Sequence, residues 1–308
     1  MKLPFFDRGF IAQMDTWVTF TLFAVVMQSL RTASQKKVSK IISIQAATLV
    51  RFLFGIKFAA LYFFFIIRVY QPIHIEFTSK FFISGALASV SQIGATVVLL
   101  KALALRNFSV GTALAKTEAL FAAILGALFF SAHLNFWGYL SVFTGVCGVL
   151  VASNWKVTLR DLAENHSIRY GVGAGVGFAL ASLWIRDASL SLEIPRIVSA
   201  ATVLLYMVVL QSLICLIWIS AKEPKQFAQI RHNFGTCLFI GFSGVAGSIG
   251  WFTAMSLQNA ALVKTLGQVE FIASLLITYL YFGEEISRRE YLGLSLIAFS
   301  ILLLIGIP

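Results

Sequence analysis

Residues 112–130 read TALAKTEALFAAILGALFF, an apolar stretch long enough to cross a lipid bilayer that nevertheless contains a lysine and a glutamate. Residues 264–282 read KTLGQVEFIASLLITYLYF and show a second version of the same pattern. The four ionisable side chains are Lys116, Glu118, Lys264 and Glu270. Such groups inside a membrane span are costly, so they are functional candidates by default. The two stretches predict a membrane protein whose other helices shelter these charges.

The composition of the whole chain also indicates a membrane protein. Of its 308 residues, 59% are hydrophobic and 12% are charged, and the mean hydropathy is +0.87. Soluble domains contain about 45–50% apolar and about 25% charged residues. The length allows about ten membrane-spanning helices joined by short loops. We predict these helices at 15–33, 46–67, 81–100, 109–130, 134–153, 168–186, 197–220, 235–256, 261–282 and 290–307.

Several classes of function are not supported by the sequence. The formal net charge is +11, but the basic residues lie mostly at the ends of apolar runs, where they set orientation and meet lipid head groups. We therefore expect no nucleic-acid partner. No HExxH, GxSxG or Walker pattern is present, and the histidines show no metal-ligand spacing. We expect no enzymatic activity and no cofactor or metal, and the expected partners are a small-molecule substrate and membrane lipid, with the chain as a monomer or a homodimer.

The two halves of the chain are related by an internal repeat. With an offset of 152 residues, Glu118 matches Glu270. Residues 1–153 and 168–308 are the predicted repeats, and residues 154–167 are a polar linker between them. Because each repeat holds five predicted helices, an odd number, the second repeat enters the membrane from the opposite side. The predicted fold is therefore all-α, with ten transmembrane helices arranged as two inverted five-helix repeats around a central cavity.

Further local features point to a known family. Arg51 stands early in the second predicted helix, and the sequence FGE ends at Glu284 after the ninth. The third and eighth helices end in related sequences, LKALALRN at 100–107 and TAMSLQN at 253–259. Together with the five-plus-five arrangement, these features resemble the EamA-type members of the drug/metabolite transporter superfamily.

The resemblance implies a basket of helices whose central cavity is lined mainly by helices 1, 3, 4, 6, 8 and 9. It also implies a multi-pass protein of the bacterial cytoplasmic (inner) membrane with both termini in the cytoplasm. The distribution of basic residues among the loops favours the opposite orientation by the positive-inside rule, so the orientation stays open. At the positions of Glu118 and Glu270, EamA-type proteins more often carry proline. The two glutamates therefore replace kink-forming residues with titratable groups.

The charged side chains of each stretch are not arranged to pair within their own helix. On an unbroken helix, Lys116 and Glu118 lie about 200° apart, and Lys264 and Glu270 also face different sides. Each charge therefore needs a partner on another helix, a substrate or water. Two interpretations remain open: interhelical Lys–Glu pairs that lock the halves together, or glutamates that reach a wet central cavity.

The second interpretation predicts a substrate-binding or proton-coupling site. The two glutamates would bind a coupling proton or a cationic group of the substrate. The two lysines would bind an anionic substrate group or hold the glutamates ionised. Polar and aromatic side chains in helices 1, 3 and 8 are further candidates. The complete predicted site is Glu118, Glu270, Lys116, Lys264, Gln28, Gln92 and Trp251.

The sequence also predicts where several other basic side chains lie. Arg51 is expected to snorkel to the interface or to form a structural pair. Lys57 lies deeper in the same predicted helix and is a candidate for the cavity. The loop after the first helix is predicted to hold a basic cluster, Arg31, Lys36, Lys37 and Lys40.

These patterns together predict a secondary transporter that moves a small polar or amphipathic metabolite by alternating access. The resemblance favours proton-coupled export over import. The alternative is a flippase for a lipid or a lipid-linked precursor, for which the basic cluster after the first helix would face the head groups. A membrane-embedded enzyme is less favoured because the sequence shows no metal cluster and no nucleophile–base pair.

Overall fold

The computed structural model describes residues 16–71, 74–105, 113–153, 166–272 and 287–306. Within these ranges the chain is helical, and its helices are numbered α1 to α12 in chain order. The first half contains α1 (Thr16–Val38), α2 (Ile44–Leu53), α3 (Ile56–Val69), α4 (Ser79–Ala104), α5 (Glu118–Phe129) and α6 (Phe136–Ala152). The second half contains α7 (His166–Leu190), α8 (Arg196–Lys222), α9 (Gln226–His232), α10 (Phe234–Leu257), α11 (Ala260–Leu266) and α12 (Arg288–Gly306).

Six segments of the described chain are long and apolar enough to cross a membrane. They are Ile44–Val69, Ser79–Ala104, His166–Leu190, Arg196–Lys222, Phe234–Leu257 and Arg288–Gly306. Large apolar side chains cover the outer surface, and Leu61, Phe64 and Phe65 are each more than 60% exposed. A continuous apolar surface of this kind is unfavourable in water but suits contact with lipid. The chain is therefore a multi-pass integral membrane protein.

The second predicted helix, 46–67, is interrupted in the structure. The chain leaves the helix at Phe54 and Gly55, between α2 and α3. At this point α10 comes very close, because a methyl group added at Gly55 would lie 2.7 Å from the side chain of Val245. A short helix that the sequence did not predict, α9, precedes α10.

Some predicted elements lie partly outside the described residues. These parts are residue 15 of the first predicted helix, residues 109–112 of the fourth, residues 273–282 of the ninth, residue 307 of the tenth and residues 154–165 of the linker.

The two halves pack against each other reciprocally. Helix α4 of the first half packs along α7 of the second, and α10 of the second half packs along α1 of the first. Helices α6 and α12, which occupy equivalent places in the two halves, pack against each other. A two-fold relation between the repeats requires this exchange of partners.

Small residues allow these helices to approach closely. A methyl group added at Gly177 of α7 would lie 2.9 Å from Cβ of Ala95 in α4. A methyl group at Gly250 of α10 would lie 2.5 Å from the carbonyl oxygen of Phe20 in α1. Close backbone contact through small residues is the main way in which helices pack in lipid. The small residues of α7 and α10 therefore serve close helix packing.

Candidate functional site

Both stretches that carry the charged side chains are interrupted helices. In the first, a turn at Lys116 and Thr117 precedes α5, which begins at Glu118. In the second, α11 ends at Leu266, a turn occupies residues 267–268, and the chain is helical again over residues 269–272. The sequence prediction of two continuous helices was wrong at these points. Interrupted helices line the substrate sites of many secondary transporters.

Each lysine pairs with the glutamate of the other repeat. Lys116 forms an ion pair with Glu270. Nζ of Lys264 lies 3.2 Å from Oε2 of Glu118. The four charges that stand in two separate stretches of the sequence thus form two bonds between the halves of the protein.

The glutamates are equivalent by the repeat, whereas the lysines are not. With the offset of 152 residues, Lys116 corresponds to Gln268 and Lys264 corresponds to Thr112. The pairing pattern is therefore not produced by simple duplication of one charged pair. Each repeat contributes one lysine from a different position in its helix.

The two pairs differ in depth. The side chains of Lys264 and Glu118 are 7% and 10% exposed, whereas those of Lys116 and Glu270 are 21% and 19% exposed. Nζ of Lys264 also lies 4.2 Å from the centre of the Trp251 ring, a favourable cation–π geometry. The Lys264–Glu118 pair is thus the more desolvated one.

Gln28 connects the more exposed pair to Trp251. Its Nε2 donates a hydrogen bond of 3.2 Å to Oε2 of Glu270. Its Oε1 accepts a hydrogen bond of 2.9 Å from Nε1 of Trp251. Gln28 of α1 therefore holds the Glu270 carboxylate in position by a hydrogen bond. The ion-pair partner of the same carboxylate is Lys116, which belongs to the first repeat.

Two cavities that share lining residues lie beside this network, a narrower one and a wider one. Gln28, Arg31, Phe178 and Lys264 line both of them. Each of the seven residues that the sequence proposed for the site lines at least one. Lys116, Glu118 and Glu270 line the wider cavity, and Gln92 and Trp251 line the narrower one.

The cavities lie near the middle of the helices that surround them. Gln28 stands about halfway along α1, Gln92 about halfway along α4, and Phe178 about halfway along α7. Gln92 accepts a hydrogen bond of 2.8 Å from Gln211 of α8, which orients its amide. Because α4 and α7 are long and apolar enough to cross a membrane, the cavities lie near the middle of two candidate membrane spans.

Two arginines that the sequence did not assign to the site also line the narrower cavity. Arg31 belongs to α1, inside the first predicted helix, and is 6% exposed, so its assignment to the basic cluster of the following loop was wrong. Arg51 is 5% exposed and donates a hydrogen bond of 2.9 Å to Oγ1 of Thr96, so it does not snorkel to the interface. Lys57 was predicted as a candidate for the cavity, but its side chain is exposed and lines neither cavity.

A hydrogen-bonded cluster holds the helices together at one end of the cavities. Arg186 of α7 donates hydrogen bonds to the carbonyl oxygens of Met255, at 2.6 Å, and of Gln258. The hydroxyl of Ser189 lies 2.6 Å from that of Ser256. Met255 lines the narrower cavity. Contacts between α7 and the end of α10 therefore hold these two helices together beside the narrower cavity.

The fold and the site together define a class of protein: a helical membrane protein with a buried, charged cavity between two repeats. The chain belongs to the EamA-like transporter family, whose model matches residues 15–154 and 168–306. A solved structure described only as "Crystal structure of protein" is similar over 95% of this chain and 97% of its own, with a TM-score of 0.69 and 12% sequence identity. That similarity concerns the fold alone. A comparison with curated proteins finds no match.

Proposed function

We propose that this membrane transporter is a secondary carrier that moves a small polar or amphipathic metabolite by alternating access. The observation that carries the proposal is the pair of ion pairs that join the two repeats across a central cavity. Alternating access requires one repeat to move against the other around a fixed site. Such a motion has to stretch or break bonds at that site.

The two interpretations of the charged residues are compatible in this mechanism. The Lys–Glu pairs hold the repeats together, as the structural interpretation expected, and they do so at the wall of a cavity, as the functional one expected. A substrate or a proton that replaces one partner releases the other and lets the repeats move. The pairs then act as reversible bonds between the halves.

Glu118 and Glu270 are the proposed proton-binding groups. Protonation of either glutamate removes its negative charge and weakens its ion pair with the lysine of the other repeat. Such a glutamate couples proton binding to the contact between the repeats. The proposed location is the cytoplasmic membrane of a bacterium, with the chain acting as a monomer or a homodimer.

One argument for the alternative function, a lipid flippase, does not hold. It relied on a basic cluster at the level of the head groups, and Arg31 of that cluster instead lies in the central cavity. A carrier of a small molecule is therefore the better interpretation of the cavity.

Transport measurements with glutamine variants test this proposal. A substrate is first identified by thermal-shift screening of the purified protein against metabolites and lipid carriers. Uptake into proteoliposomes is then measured at several pH values for the wild type, Glu118→Gln and Glu270→Gln. We expect both variants to transport more slowly and with a weaker dependence on pH. The exposed carboxylate of Glu193 gives the control, Glu193→Gln, which should behave as the wild type. Wild-type rate, affinity and pH dependence in both cavity variants would show that the glutamates are not coupling groups.

A further inference from the structure

Two buried arginines converge on one glycine of α10. A methyl group added at Gly244 would lie 3.1 Å from Cγ of Arg51 and 3.6 Å from Cδ of Arg31. Because α10 carries no side chain at this point, the stems of both arginines fit beside it. Both residues also line the narrower cavity. The packing thus brings two like charges, from α1 and α2, to one cavity.

Arg31 lies near enough to Glu270 and Glu118 for their charges to interact, but within the described part of the chain neither arginine forms a direct ion pair. Among the residues that the structure describes, no ion pair involves Arg31 or Arg51. Arg31 makes one long hydrogen bond of 3.5 Å to Thr32, and its Nε is buried with no partner among those residues. Arg51 bonds to the hydroxyl of Thr96 and stacks 5.0 Å from the ring centre of Phe52. Arg31 therefore keeps a buried donor that has no partner among the described residues.

The cavity walls carry more positive than negative charge. Among the described lining residues, the cations are Arg31, Arg51, Lys116 and Lys264, and the anions are Glu118 and Glu270. The two glutamates are already engaged by the two lysines. The described cavity wall therefore carries a formal excess of two positive charges.

Such an arrangement is unfavourable unless an anion completes it. Arginine stays protonated in proteins, so it does not escape burial by losing its charge. An unpaired buried charge is strongly destabilising, and two neighbouring ones repel each other. The planar guanidinium group matches the oxygens of a carboxylate or a phosphate through two parallel hydrogen bonds. We infer that Arg31 and Arg51 form an anion-binding site, which holds the carboxylate or phosphate group of a small organic metabolite.

The other residues that line the narrower cavity indicate the chemistry of the rest of the ligand. Phe178, Trp251 and Phe252 give the narrower cavity an aromatic lining, which suits a small apolar body. The excess of two charges accommodates one or two negative charges. The inference rests on the proposed transport function and names its substrate class as small organic anions.

Binding measurements on the full-length protein in detergent test the inference. The probes are succinate, glycerol 3-phosphate and inorganic phosphate, with choline as the cationic comparison, all at constant ionic strength. We expect at least one of the anions to bind and to raise the melting temperature, and choline to do neither. The relative affinities of succinate and glycerol 3-phosphate then tell whether the site prefers a carboxylate or a phosphate. Stabilisation by choline without stabilisation by any anion would overturn the inference.

Variants of the two arginines locate the site. Arg31→Gln and Arg51→Gln should each weaken binding of the best anion by roughly tenfold to a hundredfold, because each removes charge-assisted hydrogen bonds. Arg31→Lys keeps the charge but not the planar fork, so its loss should be smaller. The matched controls are Lys37→Gln in α1 and Lys57→Gln in α3, both at exposed positions, and they should bind as the wild type does. Wild-type affinity in both arginine variants would overturn the assignment.

A measurement on the unaltered chain covers the case in which the variants do not fold. Phenylglyoxal, which modifies arginine, is applied to the wild type with and without the best anion, and the sites are mapped by mass spectrometry. The bound anion should slow modification of Arg31 and Arg51 but not of the exposed Arg68. Equal modification with and without the anion would contradict the inference. These binding results are independent of the glutamine variants in transport, so the two proposals fail separately.

Discussion

The Lys264–Glu118 ion pair offers the sharpest energetic test of the site. Glu118→Gln keeps the size of the side chain and removes its charge, so Lys264 is left with a neutral partner. The lysine is 7% exposed and the glutamate 10% exposed, so water replaces the lost interaction poorly. Removing one partner of a buried ion pair costs about 3–5 kcal/mol. We expect a loss near the lower end, about 3 kcal/mol, since both side chains keep some access to the cavity.

A double-mutant cycle isolates the interaction from other effects of the substitutions. The variants are Glu118→Gln, Lys264→Gln and the double variant, and the measured quantity is the free energy of unfolding in mixed detergent micelles. Residues in direct contact show coupling energies of about 0.5–3 kcal/mol. We expect about 2 kcal/mol here, because the pair is desolvated at a separation of 3.2 Å.

The Lys80–Asp187 pair is the control for this cycle. Its nitrogen–oxygen distance is shorter, 2.8 Å, but the lysine is 62% exposed. Exposed ion pairs contribute about 0–1 kcal/mol. Burial rather than distance should therefore decide the order of the two coupling energies. An equal or larger coupling for Lys80–Asp187, or no cost for Glu118→Gln, would refute the reasoning.

Three further predictions concern the cavity and the packing of the helices. Anion binding should be stronger in the double variant Glu118→Gln/Glu270→Gln than in the wild type at the same pH, because removing two negative charges makes the cavity more positive. Titration calorimetry of both proteins checks this, and equal or weaker binding by the double variant would contradict it. Gln28→Leu removes two hydrogen bonds and should slow transport about tenfold without unfolding the protein, and an unchanged rate would show that it does not position the carboxylate. Gly148→Ala should lower the free energy of unfolding by about 1–3 kcal/mol, because the added methyl group would lie 2.8 Å from atoms of α12. The control is Gly94→Ala, whose methyl group meets no atom within 4 Å, and this variant should be as stable as the wild type or more stable. Equal effects of the two alanines would contradict this packing account.

Much of the candidate site was predictable because membrane sequences restrict where charge occurs. Lys116, Glu118, Lys264 and Glu270 were conspicuous as ionisable groups in apolar stretches, and the structure places all four at the cavity. The internal repeat alone was enough to relate the two glutamates to each other. Which lysine meets which glutamate was not predictable, since the partners belong to different repeats and the lysines do not obey the repeat.

The arginines show where a sequence pattern is ambiguous. Arg31 follows an apolar run, and arginine at such a place ordinarily marks the end of a span. Helix α1 instead continues to Val38, which carries Arg31 inside the bundle. Gln28 lies three residues earlier and therefore on the same face of α1, a signal that already connected Arg31 to a proposed site residue.

The helix interruptions also escaped prediction. Proline is the usual sign of a break within a membrane helix, and neither charged stretch contains one. Gly267 gave a weak indication in the second stretch, but the first has no corresponding glycine at Lys116 or Thr117. The charged side chains beside each break pair with the other repeat, and this tertiary contact is not visible in one stretch alone.

The most direct test of alternating access is the accessibility of the cavity from the two sides of the membrane. Ser248 lines the narrower cavity and is 7% exposed. Ser248→Cys is made in a variant whose three native cysteines are replaced, and a membrane-impermeant thiol reagent is applied to either face of oriented vesicles. We predict labelling from both faces, slowed on both by the best-binding anion. Labelling from one face only, at every pH and every anion concentration, would contradict a carrier that alternates around this cavity.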